Sequence, residues 1–260
     1  MDLIKSRDSR YEEYEALLLE RDLVQKEAGQ IWTAYIREFG QLLTDLYEEK
    51  LECIRRKKTI AYYQAALNHG SVVDPAAMQD YLDREMAAYY RHLRQMMKDN
   101  DACKNATLST HYEVQRSKTL YRRIAKLIHP DIYPETDRQD VLRELWQRAQ
   151  TAYAHNDVKA LSEIEVLVRK ALKDLGTGEI RVEIPDIDEK IAELHGEIRE
   201  ITGTEPYTYR ELVDDPDAVR KKKEDMTKEL ESYRKYKAEL DDIIEYILQN
   251  GGVKIRWQMN

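Results

Sequence analysis

The sequence is poor in the residues that build turns, thick cores and cross-links. Its 260 residues include nine glycines, six prolines, one phenylalanine and two cysteines. Because glycine and proline interrupt helices, their scarcity favours long uninterrupted helices. Charged residues make up 35% of the chain, which suits solvent-exposed helices better than one thick globular core. We therefore predict an all-α protein built from several small units.

Few cysteines and the absence of long apolar runs exclude several classes of protein. Cys53 and Cys103 lie in helical patterns and form no Cys-x-x-Cys pair, so we expect neither a zinc site nor a disulfide framework. No apolar run approaches the roughly 20 residues that a membrane span needs. Residues 1–6 also lack the basic-then-apolar form of a secretion signal. We therefore expect a soluble, cytoplasmic protein.

The charge and the motif content argue against most enzymes and general nucleic-acid binders. A net charge of −8 is unlike the basic excess of proteins that track phosphates. The sequence holds no glycine-rich phosphate loop, nucleophile elbow or paired catalytic motif. Five histidines lack metal-ligand spacing: His69, His92, His111, His155 and His195. Any basic function must therefore be local.

The first part of the chain predicts a helical hairpin. From Ser9 to about Asn68 there is no proline, and apolar residues recur at steps of three, four and seven. This spacing keeps them on one side of a helix, so we predict one long helix or two joined end to end. Asp74 and Pro75 then supply a cap and a favoured first helical residue. Because the turn is short, we predict that residues 1–105 form an antiparallel, coiled-coil-like hairpin.

A helix that Ser109 or Thr110 can cap should run to Ile128 and has two distinct faces. At 100° per residue its apolar side chains fall on one arc. Its basic side chains fall on the opposite arc: Lys118, Arg122, Arg123 and Lys126. In a chain of net negative charge, this arc is a local positive face.

A loop should follow this helix. Pro130 and Pro134 prevent helix continuation, so we predict a loop over residues 129–136. A second helix should follow the loop, and a third should start near Val158. We assign residues 106–176 to this central unit, in which three helices surround one loop.

The last part of the chain predicts a second helical hairpin, over residues 177–260. Two heptad stripes are separated by a loop that ends at Pro216. Segments that alternate with period two flank the stripes, at residues 179–184 and 253–257. An antiparallel hairpin brings its ends together, so we predict that these segments pair as a small antiparallel β-ribbon.

The segment LYRRIAKLIHPD, which begins at Leu120, resembles helix II and the following loop of a J-domain. J-domains are the co-chaperone modules that engage DnaK-type heat-shock ATPases. Downstream, Trp146 stands where that family has an aromatic residue in helix III, and Ala152-Tyr153 matches its Ala-Tyr pair. The resemblance extends to about Val168.

This resemblance implies roles for particular residues. His129, Pro130 and Asp131 would form the loop that stimulates ATP hydrolysis by the partner. The basic face would meet the partner's acidic surface: Lys118, Arg122, Arg123 and Lys126. J-domains carry out no chemistry themselves, so we expect no catalytic residue, metal or cofactor and predict that the protein is not an enzyme.

Two family features are missing from the sequence. Upstream of Leu120 there is no clear helix I pattern, and we expect the long first hairpin, particularly residues 86–97, to pack in its place. There is also no Gly/Phe-rich linker, so the chain does not resemble the full DnaJ architecture.

Three hypotheses follow for the function. The first is a co-chaperone whose hairpins bind a client protein or position the assembly. The second is a protein-interaction scaffold in which the J-like fold persists only as packing. The third is nucleic-acid binding through Arg116 to Lys126. The basic face lacks aromatic residues that could stack on bases, which counts against this hypothesis. The client and the oligomeric state stay open, because heptads can pair within or between chains.

Overall fold

The computed structural model of the protein describes residues 2–105, 109–176 and 186–255. These ranges are helical almost throughout and include one pair of two-residue strands. The prediction of an all-α protein is confirmed. The helices in chain order are α1 (Asp2–Asn68), α2 (Pro75–Asn105), α3 (His111–Ile128), α4 (Glu135–Arg138), α5 (Asp140–Ala154), α6 (Val158–Asp174), α7 (Ile187–Gly203), α8 (Arg210–Asp214) and α9 (Pro216–Asn250). The strands are β1 (Val72–Val73) and β2 (Lys254–Ile255).

Helix α1 is a single helix of 67 residues, rather than two joined end to end. No proline interrupts it, and neither of its glycines breaks it. A Cβ atom on Gly40 would lie 2.6 Å from Oδ1 of Asn100 in α2, so a glycine permits the close approach of these two helices. A Cβ atom on Gly29 would meet nothing within 4 Å.

The chain divides into two compact units that do not follow the three predicted segments. Unit one consists of Met1–Gln30 and Thr107–Thr208, and unit two consists of Ile31–Ala106 and Tyr209–Asn260. Each unit combines two separate stretches of the chain, because the first part of α1 belongs to unit one and the rest of α1 belongs to unit two.

Unit one contains a three-helix core. Helices α3, α5 and α6 pack on one another. The predicted apolar arc of α3 is its buried face, and residues from α5, α6 and the loop complete the core. The buried core residues are Leu120, Tyr121, Ile124, Ala125, Ile128, Tyr133, Leu142, Leu145, Trp146, Ala149, Ala152, Tyr153, Leu161, Ile164 and Val168. Thr110, one of the two predicted caps, forms a reciprocal capping box with Glu113 at the start of α3.

The two helices of the predicted C-terminal hairpin belong to different units. Helix α7 lies in unit one, where Arg10 and Arg21 of α1 form ion pairs with Asp188 and Glu197. Because both residue numbers rise together, α7 runs parallel to the first part of α1. The heptad pattern specified an apolar stripe on α7 but not the helix against which that stripe packs.

Helix α9 lies in unit two and runs parallel to α1. Lys223 contacts Glu38, Lys237 contacts Glu49 and Asp241 contacts Arg56, so the positions advance in the same direction on both helices. The segments that follow two parallel helices therefore emerge side by side. Accordingly, β1 pairs with β2 in parallel, with Val72 opposite Lys254 and Val73 opposite Ile255.

Most of the predicted β-ribbon lies outside the described residues. Its first segment, residues 179–184, lies outside the described residues, as do residues 256 and 257 of the second. The observed partner of β2 is β1, a segment that the sequence placed in a turn region and not in a strand. Two residues per strand are too short to leave a period-two signal.

Candidate functional site

The His-Pro-Asp loop begins directly after α3 and is fixed by hydrogen bonds. The backbone N–H of His129 donates to the carbonyl of Ala125 at 2.8 Å. The carbonyl of His129 accepts from the N–H groups of Ile132 and Tyr133, at 2.9 and 2.7 Å. The hydroxyl of Thr136 donates to the carbonyl of Ile128 at 2.9 Å. These bonds satisfy the carbonyl groups of Ala125 and Ile128 at the helix end and tie the loop to α3.

The prediction of a loop over residues 129–136 is correct only in part. The short helix α4 begins at Glu135, inside that range. Thr136 is fully buried, because its hydroxyl closes the end of α3. The two prolines, Pro130 and Pro134, stand at the end of α3 and directly before α4, where neither removes a needed helical hydrogen bond.

His129 is buried, with 3% of its surface exposed. Its ring meets Trp146 of α5 edge-on, with the centroids 4.7 Å apart. Nδ1 accepts a hydrogen bond from the backbone N–H of Asp131 at 3.2 Å, so the neutral ring carries its proton on Nε2. Nε2 lies 3.9 Å from a carboxylate oxygen of Asp22 in α1.

Burial lowers the pKa of His129 below its ordinary value of 6.5. The carboxylates of Asp22 and Asp131 act in the opposite direction without reversing the shift, and Arg21 reinforces it. His129 is therefore neutral near pH 7. Asp131 itself is half exposed and lies 4.0 Å from the guanidinium of Arg21.

Three aromatic side chains lie beside the loop. Tyr121 of α3 stacks on Tyr153 of α5, with centroids 4.1 Å apart and planes 7° from parallel. Tyr121 also lies 5.6 Å from the ring of Trp146. Its hydroxyl donates to Asp22 at 2.7 Å. Trp146 and Tyr153, which the sequence resemblance singled out, thus form one cluster with Tyr121 beside His129.

The structure divides the predicted basic face. Arg122 is exposed and makes no ion pair with any residue in the described ranges. Arg123 pairs with Glu165 of α6 at 2.9 Å, and Lys126 pairs with Glu15 of α1 at 2.6 Å. Two of these cations are therefore neutralised within the chain, which weakens the nucleic-acid hypothesis.

Lys118 is half buried and lies near Lys26 of α1. Burial and the charge of Lys118 lower the pKa of Lys26 to about 8. The Lys26 ammonium lies 3.6 Å from the centroid of the Tyr153 ring and donates to Oδ1 of Asn156 at 2.5 Å. Lys118 thus lies within unit one near Lys26 and is less exposed than Arg122.

A second layer of unit one covers the loop. Ile132 of the loop belongs to a small apolar cluster with α1 and α7. The other buried members are Tyr14, Leu17, Leu18, Ile191 and Leu194. Arg21 contributes a polar link, because its guanidinium lies 4.0 Å from Asp131 and 3.7 Å from Glu197.

The first part of α1, which belongs to the predicted long hairpin, packs on the three-helix core. Residues 86–97, the part of the hairpin that the sequence favoured for this position, belong to unit two. Leu19 contacts that core, and Leu17 and Leu18 contact the loop layer. Sequence reasoning missed Glu15, Asp22 and the other covering residues, because no local pattern links them to a loop about a hundred positions away.

Two further classes of site are absent from the described part of the chain. No group of three or more potential metal-ligating side chains occurs there. No helix within it is both long and apolar enough to cross a membrane. Comparisons with protein-family models, with curated proteins and with solved structures found no match to the chain.

Proposed function

We propose that the protein is a J-domain-like co-chaperone that engages a DnaK-type heat-shock ATPase and stimulates its ATP hydrolysis. The observation that carries this proposal is the contact of His129 with Trp146, beside the stack of Tyr121 on Tyr153. These residues come from three separate parts of the resembling segment. Their convergence around the His-Pro-Asp loop favours a functional unit over an accidental tripeptide.

The local chemistry suits a binding role. The hydrogen bonds within the loop and the ring of Pro130 reduce the conformational entropy that binding would remove. The exposed Arg122 can steer an acidic partner surface and set its orientation. Neutral His129 is held by Trp146 and acts through shape and hydrogen bonding, without transferring a proton.

The proposal is tested by the ATP turnover of a purified DnaK-type ATPase with the wild-type protein and three variants. We expect several-fold stimulation by the wild type and by His111→Gln, since His111 is exposed at the far end of α3. Stimulation should be lost in His129→Gln. Because His129 is buried, Asp131→Asn is the second motif variant, and it should also lose stimulation without disturbing the core.

Two results would contradict this proposal. If the saturating wild-type protein leaves ATP turnover unchanged, the co-chaperone function is wrong. If the wild type, His129→Gln and Asp131→Asn stimulate equally, the loop does not have the assigned role. Circular dichroism of each variant confirms that the helices are retained.

A scaffold function is the second candidate, and the burial of His129 favours it. Because only 3% of the His129 surface is exposed, the side chain contributes to packing within unit one. On this alternative, a client protein captured by the wild type would also be captured by Asp131→Asn. Its capture would be lost when the hairpin of α1 and α2 is truncated, a result that the co-chaperone proposal does not require.

A further inference from the structure

The loop-covering layer of unit one is separate from the three-helix core. The buried residues of this core come from α3, α5, α6 and the loop after α3, and Leu19 of α1 packs against them. The covering layer adds a much smaller cluster, which joins Ile132 to Leu17 and Leu18 of α1 and to Ile191 of α7. We call residues 10–22 of α1 the cover segment. The buried residues of the three-helix core lie outside this segment.

Acidic side chains of the cover segment face Lys126 at the end of α3 and His129 of the loop. Glu15 pairs with Lys126 at 2.6 Å, and Asp22 faces Nε2 of His129 at 3.9 Å. Asp22 also accepts a hydrogen bond from Tyr121 at 2.7 Å. Glu15 thus pairs with a cation that an acidic partner would need, while Asp22 covers the buried side of His129.

The polar contacts of the cover segment include partly exposed ion pairs, which can open and re-form. Lys126 is 57% exposed in its ion pair with Glu15, and Asp131 is 45% exposed in its pair with Arg21. Ion pairs exposed to this degree contribute little to stability. Beyond the segment, Lys26 anchors α1 to Asn156 and Tyr153, so release can be confined to residues 10–22.

We propose that the cover segment is an autoinhibitory element that competes in cis with the ATPase for His129 and Lys126. This inference rests on the proposed co-chaperone function. In the closed state Nε2 of His129 is shielded by Asp22, and only the open state binds the partner. The apparent dissociation constant is then the intrinsic constant divided by the open fraction.

The experiment combines two readouts on the full-length chain. The first is the rate at which diethyl pyrocarbonate modifies His129, measured by peptide mass spectrometry with exposed His111 as the internal reference. The second is the concentration of protein that gives half-maximal stimulation of a DnaK-type ATPase. The variants are Glu15→Lys, which replaces an ion pair by repulsion, and Leu18→Ala, which weakens the apolar contact. Glu12→Lys is the matched control, since Glu12 is exposed on the same helix.

We expect both cover variants to speed modification of His129 several-fold and to lower the half-maximal concentration by the same factor. The factors should agree because both readouts depend on the open fraction. Glu12→Lys should behave as the wild type, and circular dichroism should show that helix content is retained.

Three other outcomes overturn the inference, and they can be told apart. An unchanged rate of His129 modification in both variants means that α3, α5 and α6 hold the loop, and that the cover segment does not. Faster modification with an unchanged half-maximal concentration means that the cover does not inhibit, while the co-chaperone function stands. Faster modification with no ATPase stimulation by any variant means that the proposed function itself is wrong.

Discussion

At the scale of single residues, His129 departs most from what its motif suggests. A histidine at the start of a proline-containing loop would ordinarily be exposed, yet its ring packs on Trp146 and faces Asp22. The exposed member of the tripeptide is Asp131. The tripeptide is recognisable from the sequence, but the burial of His129 depends in part on a helix about a hundred positions earlier in the chain.

Acidification should destabilise unit one through His129. The folded state lowers its pKa, so between that value and the ordinary value the unfolded state binds more protons. The free energy of unfolding should therefore fall as the pH drops from about 7.5 to about 5.5, a range that spans the ordinary histidine pKa of about 6.5. Urea unfolding at both pH values measures this change.

The charged groups around His129 set the size of that effect. Asp22, Asp131 and Asp137 favour the protonated ring, whereas burial and Arg21 disfavour it. In His129→Gln the pH dependence over this range should be flatter than in the wild type, while His111→Gln should preserve it. Equal pH dependence in His129→Gln and the wild type would refute this assignment.

At the scale of elements, the helices were the most predictable part of the structure. The apolar arc of α3 and the cap at Thr110 follow from spacing and residue type alone, because helix periodicity and capping are local. The start of α7 and the short helix α4 show the limits of such patterns. Asp186 and Glu189 have the spacing of a capping box, yet Asp186 precedes α7 in a left-handed conformation and makes no side-chain cap.

The close approach of α1 and α2 gives a prediction at this scale. Replacing glycine by alanine inside a helix ordinarily stabilises it by roughly 0.5–1 kcal/mol. Gly29→Ala should show that gain, because its Cβ has no close neighbour. Gly40→Ala should instead lower the melting temperature, because its Cβ would lie 2.6 Å from Asn100 Oδ1 and 2.9 Å from Ile36 Cγ2.

A second substitution separates the clash with Asn100 from other effects. Oδ1 of Asn100 is buried and accepts no hydrogen bond from the described residues. Adding Asn100→Ala to Gly40→Ala should therefore recover part of the lost stability in thermal unfolding. A melting temperature of Gly40→Ala equal to or above that of Gly29→Ala would contradict the tight packing.

At the scale of the whole molecule, the central feature is the length of α1. Its first part packs with α7 in unit one, and the rest packs with α2 and α9 in unit two. Both α7 and α9 run parallel to α1, as their ion pairs show. The sequence predicted that α7 and α9 form a hairpin, whereas within its own unit each of them packs on part of α1. An apolar stripe can pack on any complementary stripe, and α1 offers one to each helix.

The pairing of α1 with α9 can be tested by a double-mutant cycle. Glu49 accepts from Lys237 at 2.5 Å and from Arg234 at 3.4 Å, and its side chain is only 17% exposed. Glu49→Ala and Lys237→Ala should therefore be non-additive in urea unfolding, with a coupling of about 0.5–1 kcal/mol or more.

The matched control for this cycle is Glu48→Ala with Lys237→Ala. Glu48 is the exposed neighbour of Glu49 on α1, so its removal should add independently to that of Lys237. Equal coupling in both cycles would show that the measured energy is a general charge effect and would remove the evidence for this contact in solution.

The sequence by itself determined the helical content, the faces of the helices and the junction of a basic helix with a proline-rich loop. Each of these depends on residues within a few turns of one another. The tertiary structure decided that α7 and α9 pair with α1, that β1 meets β2 in parallel, and that Glu15 and Asp22 cover His129. These choices depend on long-range complementarity of stripes and charges, which a local period does not encode.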